Sequence, residues 1–158
     1  MNPRVKLSDI IESVHFQTHN TAYYIDRKNG KLIPVSKYQL LAAKEKNAAE
    51  DYPEWQKEQI KLARDILSDE KQERYIPIPA QFVYHEHSAM ENFSISFEND
   101  EISGALCRAI VGQGAFNRFQ KNIEHFGIVE DWRRYRYRAM KRIVADWCET
   151  NNIEYEEK

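Results

Sequence analysis

A chain of 158 residues is long enough to form one domain around its own hydrophobic core, without help from metal ions or disulfide bonds. Hydrophobic residues make up 42% and charged residues 30% of the chain, and the formal net charge of −2 argues against a dedicated nucleic-acid-binding protein. No stretch reaches the roughly 18 consecutive apolar residues of a membrane span, and no apolar segment follows Met1, so we expect a soluble, cytoplasmic protein.

The first half of the chain shows three helical patterns. Residues 6–16 have apolar side chains at helical spacing, which predicts a short helix that ends near His15 to His19. A second helix is predicted at 37–48. Pro53 opens a third at 53–70, whose apolar face begins at Trp55.

A β-hairpin is predicted at about 22–36, where two β-prone runs flank Asn29-Gly30. This pair accepts the positive φ angles of a type I′ turn. Pro34 cannot donate a hydrogen bond to a neighbouring strand, so the second strand is expected at a sheet edge. Four side chains are expected to share one face of the hairpin: Tyr23, Ile25, Ile33 and Val35.

The second half begins with an extended segment at 74–79, in which prolines at alternate positions restrain the backbone. It is expected to pack on the core through Ile76 and Ile78 and to extend the sheet of the hairpin. Helical spacing then resumes at 84–97, a further helix begins after a cap at Asn99 or Asp100, and a helix pair follows at about 114–150. Together the elements predict an α+β fold: a mostly helical single domain over residues 1–158 with a small antiparallel sheet near the N-terminus.

Charged residues are segregated along the sequence. Residues 76–105 contain five acids and no Lys or Arg, whereas residues 118–142 contain eight basic residues against three acids. The basic run can attract either an anionic partner or the acidic segment 86–101, in the same chain or in a second copy. We favour self-complementarity between the two segments.

No residue set for catalysis or metal binding emerges from the sequence. His85 and His87 would point about 200° apart on a helix, so polar residues at a helix start are favoured over a zinc or manganese site. Neither Cys107 nor Cys148 has a neighbouring His, and both are expected to be reduced thiols in the core. Gly112-Gln113-Gly114 follows a helix and lacks a P-loop lysine, which favours helix termination over phosphate binding. We therefore expect no cofactor, and enzymatic activity ranks third among the functions considered.

The candidate binding residues lie on the last helix, interleaved with Tyr135 and Tyr137. Such a surface offers charges for phosphates and rings for stacking on bases. The alternative, which the low net charge favours, is that the aromatic residues are core and the basic residues pair with acids or solvent. The candidates for an anionic partner are Arg133, Arg134, Arg138, Lys141 and Arg142.

Several motifs follow one another along nearly the whole chain. They are Asp51-Tyr52-Pro53-Glu54-Trp55, Arg74-Tyr75-Ile76-Pro77-Ile78-Pro79, Gly112-x-Gly-Ala-Phe-x-x-Phe119, and the tryptophans Trp132 and Trp147. With them the chain resembles a bacterial family of small, acidic, single-domain proteins described as uncharacterised, and the resemblance implies no activity, substrate or cofactor. That family usually shows Gly-Lys-Gly-Ala-Phe-Arg-Arg-Phe-Lys, where this chain has Gln113, Asn117 and Gln120. The lost charges favour a structural role for the motif.

The sequence as a whole favours a non-catalytic binding or regulatory protein that acts through a protein interface, with a protein partner or by self-association. Nucleic-acid association through the basic face of the last helix is the alternative.

Overall fold

The computed structural model describes residues 3–16, 20–45 and 52–157, without the side chains of His15 and Phe16. The end of the helix predicted at 37–48, and Asp51 of the motif Asp51-Tyr52-Pro53-Glu54-Trp55, lie outside these residues. The helices are α1 (Leu7–Phe16), α2 (Lys37–Lys44), α3 (Glu54–Ser68), α4 (Gln81–Ser96), α5 (Asp100–Ala109), α6 (Ala115–His125) and α7 (Val129–Thr150). The strands are β1 (Val5–Lys6), β2 (Thr21–Asp26), β3 (Lys31–Ser36), β4 (Tyr75–Pro77) and β5 (Tyr155–Glu156).

The predicted fold class is confirmed: the fold is α+β and mostly helical, with a small antiparallel sheet near the N-terminus. Residue contacts divide the chain into two compact units. One comprises residues 1–80 and 147–158, and the other residues 81–146. Each unit has its own cluster of buried apolar side chains, and the single domain over residues 1–158 remains a prediction.

The three-stranded sheet has the order β3-β2-β4, with both neighbours antiparallel to β2. The predicted hairpin is therefore confirmed, and so is the position of β3 at the edge of the sheet. Pro34 has no N–H group, which an edge strand tolerates. The extended segment also adds to this sheet, since Ile76 lies opposite Ile25 and both Ile76 and Ile78 are buried.

The predicted faces of the hairpin were wrong. Ile33 lies opposite Tyr24, whereas Leu32 lies opposite Ile25, and directly opposite residues share a face. The turn holds four residues between Asp26 and Lys31, and of these only Gly30 has a positive φ, at +70°, so it is not a type I′ turn. Because the turn contains an even number of residues, each even-numbered residue of one strand lies opposite an odd-numbered residue of the other. The prediction placed only odd-numbered residues of both strands on one face and was therefore wrong.

Helices α2 and α3 pack on the hairpin face that carries Val35, Tyr24 and Ile33. Helix α2 begins with a capping box, in which Ser36 and Gln39 each accept a hydrogen bond from the other's backbone amide. Helix α3 follows Pro53, as predicted, and buries Ile60, Ala63 and Ile66 on its inner side. This cluster of the first unit is therefore one sheet face covered by two helices.

Two carboxylates fix the chain where it enters β4. Asp26 is 3% exposed and forms a bidentate ion pair with Arg74, with Nε–Oδ1 and Nη2–Oδ2 distances of 3.1 and 3.2 Å. Asp69 accepts hydrogen bonds from the backbone amides of Tyr75, Arg74 and Glu73 at 2.7, 2.9 and 3.0 Å. These bonds, foremost that from Tyr75, lower the pKa of Asp69, so the ionised carboxylate holds the turn.

The end of α7 is fastened within the first unit by a Schellman motif. Asn152 adopts a φ of +57°, and the amide of Ile153 donates to the carbonyl of Cys148 at 2.8 Å. The guanidinium of Arg27 donates to the next carbonyl groups, with 2.6 Å between Nη2 and the oxygen of Asn151. The chain then forms β5, which pairs in parallel with β1.

The second unit consists of α4, α5, α6 and α7 up to residue 146. Phe93, Phe119 and Trp132 form the centre of its core, with ring centroids 4.8 Å apart between Phe119 and Trp132. Asn99 caps α5 through the amide of Ile102, and the predicted helix pair is confirmed as α6 and α7. Among the described helices, none combines the length and the apolar character that crossing a membrane requires.

Candidate functional site

The five predicted binding residues lie on α7, and the acidic segment 86–101 leaves them accessible. The side chains of Arg133, Arg134 and Arg142 are 65%, 68% and 88% exposed. Arg138 is exposed as well, whereas Lys141 is half-buried, with its Nζ 6.0 Å from the ring centre of Tyr137. Four of the five residues are thus exposed, and we refer to the five together as the basic face of α7.

Acids of the same helix reduce the charge of this basic face. Arg133 pairs with Glu130 at 3.1 Å and Arg134 with Asp131 at 3.3 Å, each one turn earlier. Arg142 pairs with Asp146, which lies one turn later, at 3.6 Å. Three carboxylates therefore stand beside five cationic groups, and the exposed pairs themselves contribute little stability.

The aromatic residues between these cations are not free to stack on bases. Tyr135 packs on the core of the second unit, with its ring centroid 5.3 Å from that of Phe93. Tyr137 is half-buried beneath Lys141. The sequence pattern of alternating rings and charges thus reflects one helix with a packed side and a solvated side.

Arg136 is a further basic residue of α7, which was not among the predicted binding residues. It is 6% exposed, and its Nε lies 2.7 Å from Oε1 of Glu86 on α4, which is 4% exposed. The expected pairing between the acidic and the basic segment thus exists, as one buried ion pair. The spacing could have revealed it, because Arg136 falls four residues after Trp132 and four before Met140, both of them buried.

His85 and His87, considered above as metal ligands, lie on α4, which begins at Gln81, and both are exposed. His87 is paired with Glu91, with 3.0 Å between Nδ1 and Oε1. In residues 3–16, 20–45 and 52–157, no three His, Cys, Asp or Glu side chains come close enough to hold a metal ion.

The cysteines differ in their surroundings. Cys148 is fully buried, and burial raises the pKa of its thiol to about 12, so the thiol stays protonated and unreactive at neutral pH. Cys107 is half-buried on α5. Both are free cysteines, but only Cys148 lies in the core, where both were expected.

The glycine motif is a connection between two helices. Gly112 and Gly114 adopt φ angles of +80° and +75° between α5 and α6. The guanidinium of Arg118 donates to the carbonyl groups of Ala109, Val111 and Gln113 and so caps the end of α5. The role of Arg118 in the structure is to hold this turn.

An exposed aromatic patch on α2 and the start of α3 was not predicted. We define it as Tyr38, Leu41, Tyr52 and Trp55. The exposed fractions of Tyr38, Leu41 and Trp55 are 62%, 53% and 63%. The rings of Tyr38 and Tyr52 meet edge to face at 6.5 Å, and their hydroxyl groups lie 3.3 Å apart. Trp55 was expected on the apolar face of its helix, but it lies in the first turn, ahead of the buried positions that begin at Ile60.

Comparison with known proteins gives one match. The family model described as Uncharacterised protein family (UPF0158) covers residues 1–158. No curated protein and no solved structure matches the chain. Because the family model spans the whole sequence, the chain belongs to the uncharacterised protein family UPF0158.

Proposed function

We propose that the chain is a non-catalytic binding module that acts through a protein interface centred on the aromatic patch. The observation that supports this most is the exposure of two large aromatic side chains, Trp55 at 63% and Tyr38 at 62%. Tryptophan and tyrosine are the residues most enriched among those that dominate binding energy at protein interfaces. An exposed group of such side chains on one surface is typical of an interaction site.

The patch is held in place before any partner arrives. Tyr52 packs against the core of the first unit, and the edge-to-face contact fixes Tyr38 beside it. Side chains that are already ordered lose less conformational entropy on binding. Around them lie charged residues such as Lys37, Lys57 and Glu54, which supply the polar rim that such interfaces have.

The double substitution Tyr38→Ser/Trp55→Ser is expected to weaken binding by at least about tenfold, because it removes the two largest exposed rings of the patch. Pull-down from a cell lysate identifies the partner, and titration with the purified partner then gives the affinity. Sedimentation velocity covers the case in which the partner is a second copy of the chain.

The matched control is Val111→Ser, which removes a side chain that is 72% exposed but lies in the second unit. It is expected to bind as the unsubstituted chain does. Equal binding by both variants would refute the patch as the interface, and a monomer without a partner at low and high salt would refute the proposed function.

Nucleic-acid association through the basic face of α7 is the second candidate. The observation in its favour is that Arg133, Arg134 and Arg142 remain largely exposed. Filter binding at about 50 and 200 mM salt tests it, because each phosphate contact adds to the salt dependence of the affinity. Arg134→Gln/Arg138→Gln should lower both the affinity and the salt slope, and no binding at the lower salt would exclude this candidate.

A further inference from the structure

An open groove of about 460 Å³ lies between α5 and α6 in the second unit. Its volume falls within the range of sites for small molecules. One wall belongs to α5 and the other to α6. The groove is lined by Ala105, Arg108, Ala109, Arg118, Lys121 and Asn122.

The lining of the groove contains three cationic side chains and no carboxylate. Within the part of the chain that the structure describes, neither Arg108 nor Lys121 takes part in an ion pair, unlike Arg133, Arg134 and Arg142 of α7. This concentration of unneutralised positive charge stands out in a chain with a net charge of −2. Such a groove attracts small anions.

One of the three cations is fixed in position. Arg118 donates to three carbonyl groups at the end of α5 and in the following turn, so its guanidinium cannot swing away into solvent. A guanidinium has five N–H donors, and those not used by the carbonyl groups remain for a ligand. Arginine donors of this kind match the oxygen atoms of a phosphate group.

The wall of the groove on α5 is built from small residues. Ala105 and Ala109 present methyl groups. Gly104, which precedes Ala105 on α5 and is not part of the lining, has no side chain. A Cβ atom on Gly104 would stand 3.2 Å from Nη1 of Arg108, so the glycine leaves room for this guanidinium to lie along its own helix. The groove therefore combines cationic groups with an apolar surface that suits a carbon skeleton.

The geometry points to a binding site for a phosphate group in this groove, held by Arg108, Arg118 and Lys121. The volume and the alanine surface fit a small phosphate monoester, while free inorganic phosphate shares the same recognition chemistry. The site lies in the second unit and is separate from the protein interface proposed on the first.

The test is a titration of the ¹⁵N-labelled full-length chain, followed by the amide signals of residues 105–122. Ribose 5-phosphate and inorganic phosphate are the two probes, each up to about 10 mM, the concentration range of weak ligands. Arg108→Gln/Lys121→Gln removes two charges without touching the Arg118 cap. Arg133→Gln/Arg138→Gln removes the same charge from α7 and is the matched control.

Saturable shifts in residues 105–122 are expected, with tighter binding of ribose 5-phosphate. The groove variant is expected to lose at least about tenfold in affinity, since each lost cation removes a charge-assisted hydrogen bond, and the control variant less than about twofold. Equal affinity for the two probes supports a site for the phosphate group alone. Absence of saturation, or the same loss in the control, overturns the proposal.

Discussion

Replacing Glu86 by Gln is expected to lower the free energy of unfolding by about 3–5 kcal/mol, because it removes a carboxylate that lies against the buried guanidinium of Arg136. Both residues are at most 6% exposed, and their charged atoms lie 2.7 Å apart. Arg136→Met is expected to be as costly, since it removes the cation that lies against the buried carboxylate of Glu86. Urea unfolding of the full-length chain, followed by tryptophan fluorescence, measures both losses.

Replacing both partners together is expected to be far less damaging. In Glu86→Leu/Arg136→Met both charges of the pair are replaced by apolar side chains, and such an exchange is often neutral or stabilising. The double variant should therefore recover most of the stability that either single change removes. A coupling of this size between the two sites is what a double-mutant cycle detects.

The exposed pair of Glu130 and Arg133 on α7 supplies the control. Its side chains are 70% and 65% exposed, so Glu130→Gln is expected to cost less than about 1 kcal/mol. A loss of similar size for Glu86→Gln would contradict the interpretation that the buried pair stabilises the second unit. Single losses that simply add in the double variant would contradict it as well.

The sequence could have predicted this ion pair. Glu86 stands four residues after Phe82 and four before Met90, in the same way as Arg136 stands between Trp132 and Met140. A charged residue at the centre of an apolar helical stripe needs a buried partner of opposite sign. Two such positions of opposite charge predict an ion pair between them. The segregation of charge along the chain indicated only which two segments attract each other, not which residues pair.

Local patterns predicted most of the secondary structure. The hairpin, the edge strand with Pro34 and the added strand at 75–77 follow from backbone restraints that act over a few residues. The faces of the hairpin were not predicted correctly, although the two-residue turn predicted at Asn29-Gly30 and the observed four-residue turn both pair even-numbered with odd-numbered positions. Asn29-Gly30 indicated a turn, but the alternation of side chains along each strand does not give the pairing between strands.

The candidate sites depend on tertiary structure to a greater degree. Whether the basic face of α7 is covered depends on the packing of α4 and α5, which no local pattern specifies. The exposure of Trp55 and the groove beside Arg118 arise in the same way, from where neighbouring helices begin and end. Sequence periodicity identifies the side of a helix that packs on the core. It does not show which part of the helix is covered by a neighbouring element.

Phe119→Ala is expected to cost about 3–5 kcal/mol of unfolding free energy, because Phe119 is fully buried and its removal leaves a cavity. Its ring lies 4.8 Å from that of Trp132 on α7 and 6.4 Å from that of Phe93 on α4. One side chain of the glycine motif thus connects three helices of the second unit. Urea unfolding, with the fluorescence of Trp132 as the local signal, measures the loss.

Phe119→Leu separates loss of volume from loss of the ring, and is expected to cost less than about 1.5 kcal/mol if the site can repack. Val111→Ala, at a side chain that is 72% exposed just before the motif, should change stability by less than about 0.5 kcal/mol. If Phe119→Ala were as mild as Val111→Ala, the motif would not be a packing element. The expected large loss would instead assign Phe119 to the core, leaving ligand binding in this region to the cationic side chains of the groove.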